Sequence, residues 1–202
     1  MSTSVIYRFS WLYKAVMFLL YRDSYRERSQ ALAALIPEGA SVVDLCCGPA
    51  TLYFDYLQAR RVSYTGLDIN TGFVESASAR GARTMIWDVS GDTPLPKADY
   101  LIMQASLYHF LPDPHPVVDR MLEAAGKNVL LAEPVRNVAD SSNPAWAWLA
   151  RKLTNPGTGD QPRRFNAELL DEFLAPYRAA GRLVDTYPIA GGRERLCVLR
   201  AG

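Results

Sequence analysis

The sequence predicts an α/β fold, a mostly parallel sheet with helices on both faces, on three observations. Short apolar runs ending in a carboxylate recur about twenty residues apart: Val42-Val43-Asp44, Gly66-Leu67-Asp68 and Ile86-Trp87-Asp88. Helical periodicity fills the intervals, and a strand-helix-strand rhythm predicts parallel pairing. Near the end, two β-rich runs flank Gly191-Gly192, the mark of a hairpin. Counting strands gives a mixed seven-stranded sheet with one antiparallel strand.

Pro37-Glu38-Gly39 closes an N-terminal helical region, and Ser41 to Leu45 is the first strand. Thr51 to Arg60 reads as a helix, Val62 to Leu67 as the second strand, Thr71 to Arg80 as a helix and Thr84 to Trp87 as the third strand. Pro94 and Pro96 mark a loop before a fourth strand, Tyr100 to Met103. His115, between two prolines, reads as a loop residue; Val117 to Ala125 is a helix and Val129 to Ala132 the fifth strand. The rhythm then breaks: residues 134–165 are rich in Pro, Gly and Asn and read as a substrate-side insertion. Asn166 to Ala180 is helical, and Leu183 to Ile189 with Glu194 to Arg200 form the hairpin. Two regions result, an N-terminal helical cap over 1–37 and a domain over 38–202 carrying the insertion.

A chain of 202 residues is one domain of comfortable size, able to bury roughly 70% of its unfolded surface. Lys and Arg total 22 against 21 Asp and Glu, so the net charge of +1 argues against a nucleic-acid partner. Cys46, Cys47 and Cys197 lack metal-ligand spacing and suit a reduced, cytoplasmic protein. Trp11 to Tyr21 is apolar apart from Lys14, too short for a membrane span of about 20 residues, and no small-residue cleavage site follows. Ile6, Phe9, Tyr13 and Leu20 recur at helical spacing, which predicts an amphipathic helix packed on the domain, with weak membrane association as the alternative.

Carboxylates at the ends of parallel strands face one crevice, where an acid on the second strand can accept from both ribose hydroxyls and one on the third can reach an adenine edge. The run Asp44, Cys46, Gly48, Ala50 resembles the first motif of the class I S-adenosylmethionine-dependent methyltransferases, an acid followed by three glycines at alternate positions. Only Gly48 is a glycine here, which predicts a less deeply wrapped loop, because Cys and Ala take a positive φ at a cost. The resemblance implies a Rossmann-like fold, S-adenosylmethionine as cofactor, and a cofactor set of Asp44, Cys46, Gly48, Asp68, Ile69, Asp88, Val89 and Gln104. Asp68 or Asn70 can also cap the following helix, and Asp88-Val89-Ser90-Gly91-Asp92 also reads as a polar turn. The Gly48-to-Asp68 spacing matches a nicotinamide-binding fingerprint too, but a lone glycine followed by proline offers little to a pyrophosphate.

Gln104-Ala105-Ser106-Leu107-Tyr108-His109 follows the fourth strand and resembles the family's fourth motif. His109 is the candidate base, able to take a proton near neutrality, with Tyr108 beside it; a purely structural histidine is the alternative. Glu133, just beyond the fifth strand, and Arg163 and Arg164, near the end of the insertion, can bind a polar acceptor; surface solvation explains the two arginines at least as well. The family's base-N-methylating enzymes place Asn or Asp, two prolines and an aromatic after this strand, and its cytosine-C5 enzymes use a Pro-Cys nucleophile; neither pattern is present. The expected acceptor is therefore a small molecule, flat, lipidic or sugar-like, methylated on a hydroxyl or amine. A non-catalytic nucleoside-binding partner subunit is the alternative from a different class.

Overall fold

The computed structural model describes residues 25–136 and 164–202. The expected helix over 6–20 and most of the 134–165 insertion lie outside the described residues. Within them, parallel strands β1 (Ser41–Leu45), β2 (Ser63–Asp68), β3 (Thr84–Ile86), β4 (Ala98–Gln104) and β5 (Ala125–Pro134) are joined by the hairpin β6 (Leu183–Ile189) and β7 (Glu194–Arg200). The sheet order is β3-β2-β1-β4-β5-β7-β6, with β7 antiparallel to both neighbours. Four α-helices pack on it: α1 over 25–34, α2 (Thr71–Ala79), α3 (His115–Ala124) and α4 (Ala167–Ala179).

The central strands alternate between two apolar cores, as strands covered on both faces must. Val43, Leu45, Leu101 and Met103 meet α3 and α4 through Val118, Met121, Leu170 and Leu174. Val42, Tyr100 and Ile102 face the other way, onto Leu32 and Ala33 of α1, Leu52, Leu57 and Ala77 of α2. In α1, burial of 28, 29, 32 and 33 traces one helical stripe, which Ile36 continues just beyond its end.

Three expectations are corrected. Residues 51–60 do not form one regular α-helix: after a first turn they wind as a π turn, Tyr53–Leu57, and a 3₁₀ turn, Gln58–Arg60, ending on left-handed Arg61. His115 is not a loop residue; it opens α3, and its ring packs 4.8 Å from Phe173. Both β4 and β5 run longer than their apolar cores, since polar Asp99 and Asn128 extend the strands. Asp99 is fixed there by Ser41, whose N–H and hydroxyl both donate to its Oδ2 at 2.9 Å.

Candidate functional site

Strand order reverses between β1 and β4, so their C-terminal ends open the crevice in which such sheets bind ligands. Leu45 is in register with Leu67 and Met103, which sets Cys46, Asp68 and Gln104 one residue further on along a common edge. Cys46, Gly48 and Ala50 all adopt left-handed backbone, with φ of 55°, 54° and 54°. The expected shallower wrap is thus overturned: Cys and Ala bear the strain and the loop keeps the alternating form. The tie is Asp68, whose Oδ2 accepts from the Gly48 N–H at 2.8 Å and whose Oδ1 accepts from the Asn70 N–H at 2.8 Å. Capping of α2 falls to Asn70, whose Oδ1 accepts from the Phe73 N–H, and not to Asp68.

Burial pushes the Asp68 carboxyl up, against the two N–H groups that favour its charged form. Beside it Ile69 is 62% exposed, an apolar side chain presented to solvent. Asp44 is fully buried below the loop; the Tyr64 hydroxyl donates to its Oδ2 at 3.0 Å, and its Oδ1 has no hydrogen-bond partner among the described residues. Desolvation raises its carboxyl to about 7, with Tyr64 and Gln104 pulling the other way. The same burial, with the charges of Asp68 and Asp44, keeps the Cys46 thiol protonated, far above its ordinary range.

After β3, Asp88 lies exposed, its Oδ1 accepting from the Ser90 N–H at 2.9 Å, so the polar turn forms; the Ser90 bonds hold its carboxyl below the usual range. Val89 turns inward. From α3, Arg120 donates to the carbonyls of Val89 and Gly91, a clamp on this loop that no sequence pattern signals.

After β4, Ala105 is also left-handed, and a 3₁₀ turn over Leu107–Phe110 carries Tyr108 and His109. Glu133 anchors this turn: its Oε1 accepts from the N–H groups of Ser106 and Leu107 at 2.8 and 2.9 Å. Expected as an acceptor ligand, Glu133 is instead 1% exposed, and desolvation raises its carboxyl to about 7. The His109 ring lies 4.1 Å from Tyr108, and the Arg164 guanidinium sits 4.2 Å over the Tyr108 ring. Burial and then the Arg164 charge lower the His109 pKa to about 4, below the near-neutral value expected. Val89, Ser90, His109, Phe110 and Arg120 line one cavity of about 330 Å³, so the loops after β3 and β4 meet there. Arg163 lies outside the described residues.

The set suits a nucleoside with an amino-acid arm. A Cβ built on Gly48 meets nothing within 4 Å, an open position against which a ligand can close, and each Asp68 oxygen keeps a lone pair beyond its N–H bond.

A family model described as "Methionine biosynthesis protein MetW" matches residues 26–137. No curated protein sequence matches the chain. Among solved structures, the chain resembles one from the complex of the Haloferax volcanii Trm112 methyltransferase activator with a methyltransferase, at TM-score 0.70 and 16% identity over 100% of this chain and 99% of that one. A SAM-dependent methyltransferase from Thermotoga maritima gives 0.65 and 16% over 98% of each chain. Magnesium protoporphyrin IX methyltransferase from Synechocystis PCC 6803, solved with SAH, gives 0.63 and 15% over 90% of this chain and 85% of that one. These likenesses establish the class I methyltransferase fold.

Proposed function

Because the chain belongs to the family of methionine biosynthesis protein MetW and has the class I methyltransferase fold, we propose that it transfers a methyl group from S-adenosylmethionine to a hydroxyl or amine of a small molecule. The observation that carries this reading is the loop of three alternating left-handed residues tied by the Gly48 N–H to Asp68. Bound S-adenosylmethionine would supply an electrophilic methyl on a sulfonium whose departure as a neutral thioether needs no acid.

In this reading Gly48 lets the backbone approach the methionine arm, and Asp68 accepts from the ribose hydroxyls through its remaining lone pairs. Exposed Ile69 and inward Val89 present apolar surface to the base, and Asp88 is placed to accept from an adenine edge. Cys46 and Gln104 line the crevice between them, while Asp44 supports the loop from beneath without reaching the ligand. His109, neutral above about pH 4, can accept a proton from the acceptor, and Tyr108 orients its ring. Alignment of two bound reactants supplies most of the acceleration.

Calorimetry tests this first: micromolar affinity for S-adenosylmethionine and its demethylated product, about 8 kcal/mol, is expected. Turnover on an acceptor panel then separates catalysis from mere binding. A nucleoside-binding partner subunit is the second reading, drawn from the similarity to a chain solved with an activator protein; cofactor binding without turnover would favour it.

A further inference from the structure

At the productive edge, the buried carboxylates of Asp68 and Glu133 face inward onto the protein's own backbone. Asp68 accepts from Gly48 and Asn70, and Glu133 from Ser106 and Leu107. Arg164 is left as a positive charge with no carboxylate against it among the described residues; its contact is the Tyr108 ring, 4.2 Å from the guanidinium carbon. Its position is set by the core, since the next residue, Phe165, is 2% exposed and packs 6.0 Å from Phe173. A guanidinium whose face is covered by an aromatic ring keeps its edge N–H groups for a planar, two-oxygen partner. Next to it His109 and Phe110, both half-buried, offer a flat lining on the cavity of about 330 Å³.

We propose that the methyl acceptor carries a carboxylate, held by the edge of the Arg164 guanidinium while its body lies along His109 and Phe110. This rests on the reading of the site as a methyltransferase centre and narrows the acceptor to organic acids. It also gives Arg164 two roles, anchoring the acid and adding its charge to the burial that keeps His109 neutral.

The test uses benzoate and benzamide, matched in shape and differing in charge, with the full chain saturated with S-adenosylhomocysteine. The chain holds 2 histidines, so the His109 ring is followed by NMR with His115 as internal control. Asp92, Asp113 and Arg120 line the same cavity as His109 and stay constant in every comparison. Benzoate should bind saturably, roughly tenfold or more tighter than benzamide, and raise the His109 titration midpoint as it offsets the Arg164 charge. Arg164→Gln should raise that midpoint without ligand and abolish the preference, and Arg164→Lys should restore part of it. Equal binding of the two probes, no saturable benzoate binding, or a preference that persists in Arg164→Gln overturns the proposal. Failure to take up S-adenosylhomocysteine counts against the cofactor reading instead; the benzoate comparison on the bare protein then still decides the anion site.

Discussion

Backbone strain and ligand approach can be told apart at Gly48. With φ of +54° and open space around a built Cβ, Gly48→Ala should fold at a cost of about 1 kcal/mol, because only the left-handed backbone resists it. S-adenosylmethionine affinity should fall further, roughly tenfold or more, since the added methyl occupies the path of approach. Denaturant unfolding and calorimetry on the same variant check this, and unchanged affinity would place the ligand elsewhere. Asp68→Ala should weaken binding by roughly 1 to 3 kcal/mol, whereas Asp68→Asn, which keeps an acceptor oxygen, should lose less. Under the role proposed for His109, in which the neutral ring takes the proton, activity should be lost as pH falls through its pKa of about 4. The kcat/KM profile should carry no His109 inflection near 6.5, and one that disappears in His109→Ala would show that the ring works fully solvated. The carboxylate-ended strands were legible because parallel strands announce themselves as apolar runs and an acid at the end has nowhere to go but the edge. What each acid does was not legible: Asp44 and Glu133 are turned under the surface by strand register and by Tyr64 or the 106–107 amides, and no spacing records that.

At the scale of elements, α1 is clipped to the sheet by charge as well as by its apolar stripe. Arg28 pairs with Glu194 at 3.4 Å, both side chains almost fully buried, and Glu27 accepts from the Ala190 N–H at 2.8 Å. Removing one partner of a buried pair strands the other, so Arg28→Ala should cost about 3 to 5 kcal/mol. Arg28→Met combined with Glu194→Leu should cost much less, and two-state urea unfolding of the single and double variants would read the difference. Equal losses in both would mean that packing, not the charge pair, holds the helix. This clip spans residues 166 apart in sequence order and leaves no local signal; the hairpin it grips was readable from the two β-rich runs that flank Gly191-Gly192. The π turn at Tyr53–Leu57 was hidden for a related reason, since its side chains keep a helical pattern while the backbone widens.

For the whole molecule, buried ionisable groups set how stability depends on pH. Asp44 and Glu133 are raised to about 7, so the fold favours their neutral forms; that contribution is complete below about pH 4 and is lost as pH rises through 7. His109 is lowered, so its contribution is present above about 6.5 and is lost as pH falls toward 4. Between those limits these two carboxyls, joined by Asp68 and Glu194, which burial also raises, act against one imidazole, and stability should decline from about pH 5 to pH 8. Glu133→Gln isolates one contribution without touching the cofactor loop: its amide oxygen can still accept from the Ser106 and Leu107 N–H groups, and no charge has to form in the core. At about pH 8 this variant should be more stable than the native chain by roughly 1 to 3 kcal/mol, and at about pH 5, where the native carboxyl is already protonated in the fold, the gain should largely vanish. Chemical denaturation at both pH values measures it. A variant equally destabilised at both would show that Glu133 is held ionised, with Arg28 nearby offsetting the burial that raises it.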